Sequence, residues 1–214
     1  MQTDVARSRL RELILDGAYP PGARLTEMEV AAALEMSRTP VREALRALAA
    51  DGLVRPSGRG VVVVALERSD LEEAYQVRAA LEALTAELAA TRQREGRIAP
   101  AELVALRDVA AETATATAEG RFAEAVRLNR RFHQLIAELA GNSMALHALE
   151  RIWDQIQVST LRSLAPPSRP AHVSAQHEEL VAAIVLGQAE EAAKVARAHV
   201  LDTRTITTSE EKRA

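Results

Sequence analysis

There is no cysteine among the 214 residues, which excludes disulfide staples and thiolate chemistry at a metal or a substrate. No apolar run reaches the roughly 20 residues that span a bilayer. The first residues also lack the basic-then-apolar texture of a signal peptide, so a cytoplasmic protein with no membrane partner is expected. A surplus of positive charge is missing too: 27 Lys and Arg stand against 30 Asp and Glu, a net charge of -3. A globally basic surface is thereby excluded, and any hold on a polyanion must come from a local face of cations. What is abundant is apolar residue, 48% of the chain, ample for buried cores in one or two domains.

The most informative stretch is residues 37–60, SRTPVREALRALAADGLVRPSGRG. Ser37 can cap a helix whose first turn shows Arg38, Thr39 and Arg42 on one side, while Val41, Leu45, Leu48 and Leu53 form an apolar stripe. This is a short helix that presents cations and a hydroxyl outward. Leu53 to Arg55 and Val61 to Val64 read as short strands, and Gly58-Arg59-Gly60 between them permits a tight turn tipped by a cation. Upstream, Thr26 and Glu29 form a capping box opening a helix over Val30, Ala31 and Leu34. Before it, Val5 to Leu15 is amphipathic, with Leu10, Leu13 and Ile14 on one face and a stop at Gly17. Three helices and a hairpin within 65 residues make a helix-turn-helix with a wing.

In the strings LRELILDGAYPPGARLTE, SRTPVREALRALAADGL and GRG the chain resembles the GntR family of bacterial transcription regulators. The resemblance implies that the second helix of the motif enters the major groove of an operator and the wing tip reaches the adjacent minor groove or backbone. By position it makes Ser37, Arg38, Thr39 and Arg42 the DNA contacts and places Ser57 and Arg59 in the wing. The chemistry suits those roles, because arginine grips guanine O6/N7 or phosphate with two parallel donors and a helix N-terminus favours phosphate. Met28 departs from the family, which often carries arginine there, and Arg24 or Arg55 is the available substitute. Through Ala65, nine Arg face eight acids, so this segment is only +1.

After Ala65 the texture becomes rich in Ala, Leu and Glu. Ser69 and Glu72 read as a second capping box. Leu71, Ala74, Val77, Leu81, Leu84 and Leu88 then recur at helical spacing to about Arg92. Further helices are predicted at about 100–118, 121–140, 143–164, 171–186 and 188–208, with breaks at Gly120, Gly141-Asn142, Pro166-Pro167 with Pro170, and Gly187. The expected fold is mainly α: a winged helix-turn-helix over residues 1–65, then an antiparallel six- or seven-helix bundle over 66–214.

Within that bundle Asn129 and His133 lie one turn apart on a helix face, His177 opens HEELVAAIV, and His199 lies on the last helix. Neutral imidazoles with one oxygen donor suit zinc, nickel or manganese. His147 has no matched partner, and His172 falls in a proline-flanked loop. LNRRFHQLIAELAGN and QHEELVAAIVLGQAEEAAKVARAHV are similar to the all-helical FCD effector domain of the FadR-like GntR branch, over about residues 69–208. That resemblance makes Asn129, His133, His177 and His199 the metal ligands. Many relatives carry aspartate at position 129; a neutral amide there leaves the ion's charge uncompensated and favours an anionic ligand, so a small carboxylate is the expected effector. Arg78 matches an arginine that faces the pocket in relatives. Two roles are open to it: a clamp on the effector, or a surface pair with Glu82 at i+4.

The function that follows is a homodimeric transcription regulator, most often a repressor in this branch, controlled by an organic acid at a metal-containing pocket. The competing readings are a metal-dependent hydrolase or isomerase using the histidines, and a bundle that binds its ligand without metal. Against the enzyme, no HExxH motif or placed carboxylate pair accompanies the histidines, and an enzyme has no need of a winged helix.

Overall fold

The computed structural model describes residues 2–160 and 171–210, with side chains over 2–160 and 175–203. In chain order the elements are α1 (Gln2–Leu15), β1 (Arg24–Leu25), α2 (Glu27–Leu34), α3 (Arg38–Ala50), β2 (Val54–Ser57), β3 (Gly60–Val63), α4 (Arg68–Arg94), α5 (Pro100–Ala118), α6 (Phe122–Leu139), α7 (Ser143–Thr160), α8 (Ala171–Val185) and α9 (Ala189–Glu210). Contacts divide them into two units, residues 1–71 with 150–162, and 72–149 with 163–214. The winged helix-turn-helix and the helical bundle expected from the sequence are both present. No described helix is long and apolar enough to cross a membrane.

The first unit buries the apolar faces of its helices together: Leu10 and Ile14 of α1, Val30 and Leu34 of α2, and Val41, Leu45 and Leu48 of α3. The predicted capping box opens α2, with Glu29 N donating to Thr26 Oγ1 at 3.2 Å and Thr26 N to Glu29 Oε2 at 3.1 Å. The turn into α3 passes through Glu35 at φ +55, the one non-glycine in the left-handed region among the described residues. The wing is a three-stranded antiparallel sheet of order β1-β3-β2. Its third strand, β1, is not visible in the sequence, since two residues give no alternation to read. Gly60 is required where β1 crosses, because a Cβ there would meet the Leu25 carbonyl oxygen at 2.3 Å.

Helix α7 supplies this unit with residues from Glu150 onward. Val158 is fully buried in the winged-helix core, and Trp153 is buried nearby in sequence. Arg11 donates twice to Asp154, Nε to Oδ2 at 2.5 Å and Nη2 to Oδ1 at 2.6 Å. Gln155 Nε2 donates to the Asp51 carbonyl at 2.9 Å, Gln157 Nε2 to the Leu15 carbonyl at 3.1 Å, and Leu66 N to Ser159 Oγ at 2.8 Å. The helix therefore satisfies backbone groups at the ends of α1 and α3 and in the segment before α4 with its own side chains.

The second unit packs α4, α5, α6, α8 and α9 around Ala86, Ala90, Leu106, Phe132, Ile136, Leu180, Ile184 and Ala196. The buried face of α4 starts on the expected stripe at Leu71, only 3% exposed, and then leaves it. Tyr75, Ala79, Ala83, Ala86 and Ala90 turn inward, whereas Val77 is 50% and Leu84 39% exposed. Small residues let helices approach closely, so the alanine face wins the interior although the leucines carry the stronger periodic signal. Helix α4 also begins at Arg68, with Leu71 N donating to the Glu67 carbonyl at 2.8 Å. Ser69 thus lies inside the first turn rather than at a cap. Asn142 does cap α7, its Oδ1 accepting from Ala145 N at 3.1 Å. The expected break at Pro166-Pro167 and Pro170 lies outside the described residues.

Candidate nucleic-acid interface and metal centre

Helix α3 buries Val41, Ala44, Leu45 and Leu48, which forces Arg38, Thr39 and Arg42 to the solvent side together with Ser37. Ser37 occupies the N-cap with extended backbone, and its side chain makes no capping hydrogen bond. The two guanidinium groups share one carboxylate: Arg38 Nη2 lies 3.2 Å from Glu27 Oε2 and Arg42 Nε 2.9 Å from Glu27 Oε1. Hydrogen bonding from Arg42, and then from Arg38, holds the Glu27 carboxyl below the usual carboxylate range against the opposing effect of desolvation. Glu27 thus aligns both cations on the exposed face, and a phosphate or guanine edge would have to take its place.

At the wing, Arg59 is exposed in the two-residue turn after Gly58, whose φ of +61 suits glycine. Ser57 is half-buried, pairs with Gly60 across the turn and accepts from Arg24 Nη2 at 3.1 Å, which brings the Arg24 side chain to the wing tip. Met28 is exposed on α2.

In the second unit three helices bring three imidazoles together: His133 from α6, His177 from α8 and His199 from α9, only 3%, 2% and 0% exposed. His199 Nε2 lies 3.1 Å from His133 Nε2 and 3.2 Å from His177 Nε2. Donor atoms of all three fall within 4.8 Å of one another. Phe132 walls the cluster, its ring centroid 4.5 Å from that of His177. Asn129 is half-buried one turn before His133 on α6. His147 is exposed, and His172 falls in the first turn of α8 rather than in a loop, with its side chain outside the described set.

Behind the imidazoles stand two polar relays. His133 Nδ1 lies 2.9 Å from Glu82 Oε2, and Glu82 Oε1 accepts from Arg78 Nε at 2.7 Å, with both Glu82 and Arg78 buried. The Arg78–Glu82 pair is real but interior, not a surface pair. On the other side His199 Nδ1 lies 3.2 Å from Gln176 Oε1, while Gln176 Nε2 donates to Asp202 Oδ2 at 2.7 Å. Glu82 was not legible as a site residue, because Arg and Glu at i and i+4 are common on solvated faces. Burial raises the Glu82 carboxyl, but the Arg78 guanidinium, with the His133 ring beside it, outweighs burial and holds it far below the usual range. For His199, burial and then the neighbouring His133 and His177 push the imidazole well below its ordinary value of 6.5.

Both shifts act in the same direction on stability. The unfolded chain takes up a proton on His199 as pH falls below 6.5 while the folded chain resists it, so chelator-treated protein should lose stability as pH drops from 7.5 to 5.5. One histidine supplies a slope of at most about 1.4 kcal/mol per pH unit. Urea melts across that range test this, and a His199→Gln variant should flatten the slope; equal slopes in parent and variant would discard the assignment.

A winged helix with paired arginines on its exposed helix face, followed by an all-helical unit, defines a DNA-binding transcription regulator. Residues 2–63 match the bacterial regulatory proteins of the gntR family, and residues 73–202 match the FCD domain. The chain belongs to the GntR family, in the FadR-like branch that carries an FCD domain. It is 30% identical to the HTH-type transcriptional regulator YdhC of Bacillus subtilis over 81% of this chain and 76% of that one. It is 34% identical to a probable D-xylose utilization operon transcriptional repressor of Paenarthrobacter nicotinovorans over 93% of this chain and 87% of that one. Its fold matches that of E. coli McbR/YncC, with a TM-score of 0.84 at 22% identity over 99% of both chains. The family and these relatives are transcription regulators, not enzymes.

Proposed function

We propose that this regulator is a homodimeric repressor whose hold on operator DNA is set by a small carboxylate bound at a divalent metal centre in the FCD domain. The observation that carries the reading is the convergence of three imidazole Nε2 atoms. Gln176 is oriented by Asp202, which as a carboxylate can only accept; its Oε1 must then face His199 and accept the Nδ1 proton. Glu82 Oε2, 2.9 Å from His133 Nδ1, likewise calls for a proton on that nitrogen, because a carboxylate can only accept. With both protons on Nδ1, the Nε2 atoms of His133 and His199 turn bare lone pairs toward each other at 3.1 Å. Two lone pairs so placed suit one shared ion, since ligands about 2.0–2.1 Å from one ion sit about 2.9–3.4 Å apart.

The donor set therefore fits a borderline metal such as zinc, nickel or manganese, held by His133, His177 and His199 with Asn129 as the oxygen ligand. A bound ion supplies positive charge and a coordination position for an anionic group. The space beside Glu82, Thr85 and His133 is closed to a water-sized molecule as it stands, so an acid could enter there only if these side chains move apart. Arg78, with Nε on Glu82, would meet that acid through its Nη groups. The exposed Val77 and Leu84 face of α4 supports a second copy as partner. In that dimer residues 1–65 serve the operator, through Ser37, Arg38, Thr39, Arg42, Ser57 and Arg59, and residues 66–214 serve effector and partner. Two copies of the recognition helix match two half-sites, which turns a modest single-domain affinity into operator binding.

Elemental analysis should find about one divalent ion per subunit, lost when His133 and His199 are both replaced by alanine, and chelation should lower the melting temperature. Operator titrations with small organic acids should then shift only in metal-loaded protein, by a coupling of about 1–3 kcal/mol. Protein that takes up none of zinc, nickel or manganese, and shows no thermal shift with any of them, would sink the reading.

A further inference from the structure

We propose that Glu82 is the anionic partner of this centre, a positioning residue that fixes His133 with Nε2 toward His177 and His199 and supplies from behind the negative charge that Asn129 does not. The inference rests on the metal reading above and goes beyond it. Three neutral imidazoles and an amide carry no charge, yet they would enclose a divalent ion where the imidazoles are almost without solvent. Glu82 is buried to the same degree and touches a proposed ligand directly, its Oε2 being 2.9 Å from His133 Nδ1. Arg78 binds the other oxygen, Oε1. Glu82 thus spans the two groups, with Oε2 at the imidazole and Oε1 at the guanidinium.

That orientation makes a glutamine at position 82 an informative change. Arg78 is donor-only, so it would claim the amide oxygen of Gln in Glu82→Gln and turn the amide NH2 toward His133. His133 Nδ1 would then accept, its proton would move to Nε2, and that proton would point at His199. An isosteric substitution thereby converts a donor of electron pairs into a blocked one. Outer-shell partners of this kind are worth about 10- to 100-fold in metal affinity.

The test uses full-length protein and cobalt(II) or zinc(II) alone. Glu82→Gln should bind either ion about 10- to 100-fold more weakly than the parent. Imidazole 15N shifts of the chelated variant should show His133 protonated on Nε2, where the parent shows Nδ1. Asn129→Asp in the Glu82→Gln background should recover part of the affinity by restoring an anion, without restoring the tautomer. A parent that binds metal beside a Glu82→Gln variant of equal affinity and unchanged tautomer overturns the inference and leaves the metal reading standing. A parent that binds neither ion overturns both. Should Glu82→Gln fail to fold, Glu82→Asp keeps the charge beside Arg78 but draws the carboxylate back by one methylene. It is expected to weaken binding several-fold with the metal-free melting temperature near the parent's, and unchanged affinity there would equally overturn the inference.

Discussion

Replacing Arg38 and Arg42 with alanine should each weaken binding to the cognate operator by about 1–3 kcal/mol while leaving the helical content unchanged. Both side chains are exposed on α3, and neither contributes to the core formed by Val41, Leu45 and Leu48. Their bond to Glu27 sharpens the expectation. Because Glu27 holds the guanidinium groups in DNA-free protein, Glu27→Gln should act in the opposite direction on random-sequence DNA, raising affinity as a competing carboxylate leaves the face. Gel-shift titrations on operator and random fragments, with circular dichroism as the folding control, decide both. A double arginine variant with parental operator affinity would mean that α3 is not the reading helix.

The second large effect is on stability. Asp154→Ala should destabilise the winged-helix unit toward the lower end of the about 3–5 kcal/mol that breaking a buried ion pair costs. The Asp154 side chain is 5% exposed, but Arg11 is 32% exposed and can partly rehydrate once its partner is gone. Arg11→Ala takes this cation from a buried carboxylate and should cost at least as much. Trp153, the single tryptophan, adjoins Asp154 in the chain and reports the transition by fluorescence. Denaturant midpoints for both variants equal to that of the parent would show that the pair contributes nothing.

What the sequence reveals and what it hides divide along the distance between partners in the chain. The capping box at Thr26 and Glu29, the stripe from Val41 to Leu48 and the Gly58-Arg59 turn are local, and each is found where the pattern puts it. The shared face of Asn129 and His133 is local too, whereas the approach of His177 and His199 came only through resemblance to a family. Glu27 lies 11 and 15 residues from the arginines it binds, and Asp154 lies 143 from Arg11, so neither pair leaves a periodic trace. Helix α4 misleads for another reason. Apolar residues occur on more than one of its faces, and periodicity cannot say which face a neighbour will cover.

Grafting this reading head onto another sensor is a natural use of a two-part regulator, and the second half of α7 dictates where the scissors go. A cut after Ala65 would carry away α3 and the wing but leave behind Val158, which fills their core, and Asp154, which neutralises Arg11. The head is a fold of two chain segments separated by most of the bundle. Recombination at the linker alone would therefore mate each head with a foreign prop, and functional chimeras should be those in which residues 150–160 travel with the first 65 or are matched to them. In lineage terms, Arg11 and Asp154 should then be inherited as one trait, although three helices of the bundle, α4 to α6, lie between them.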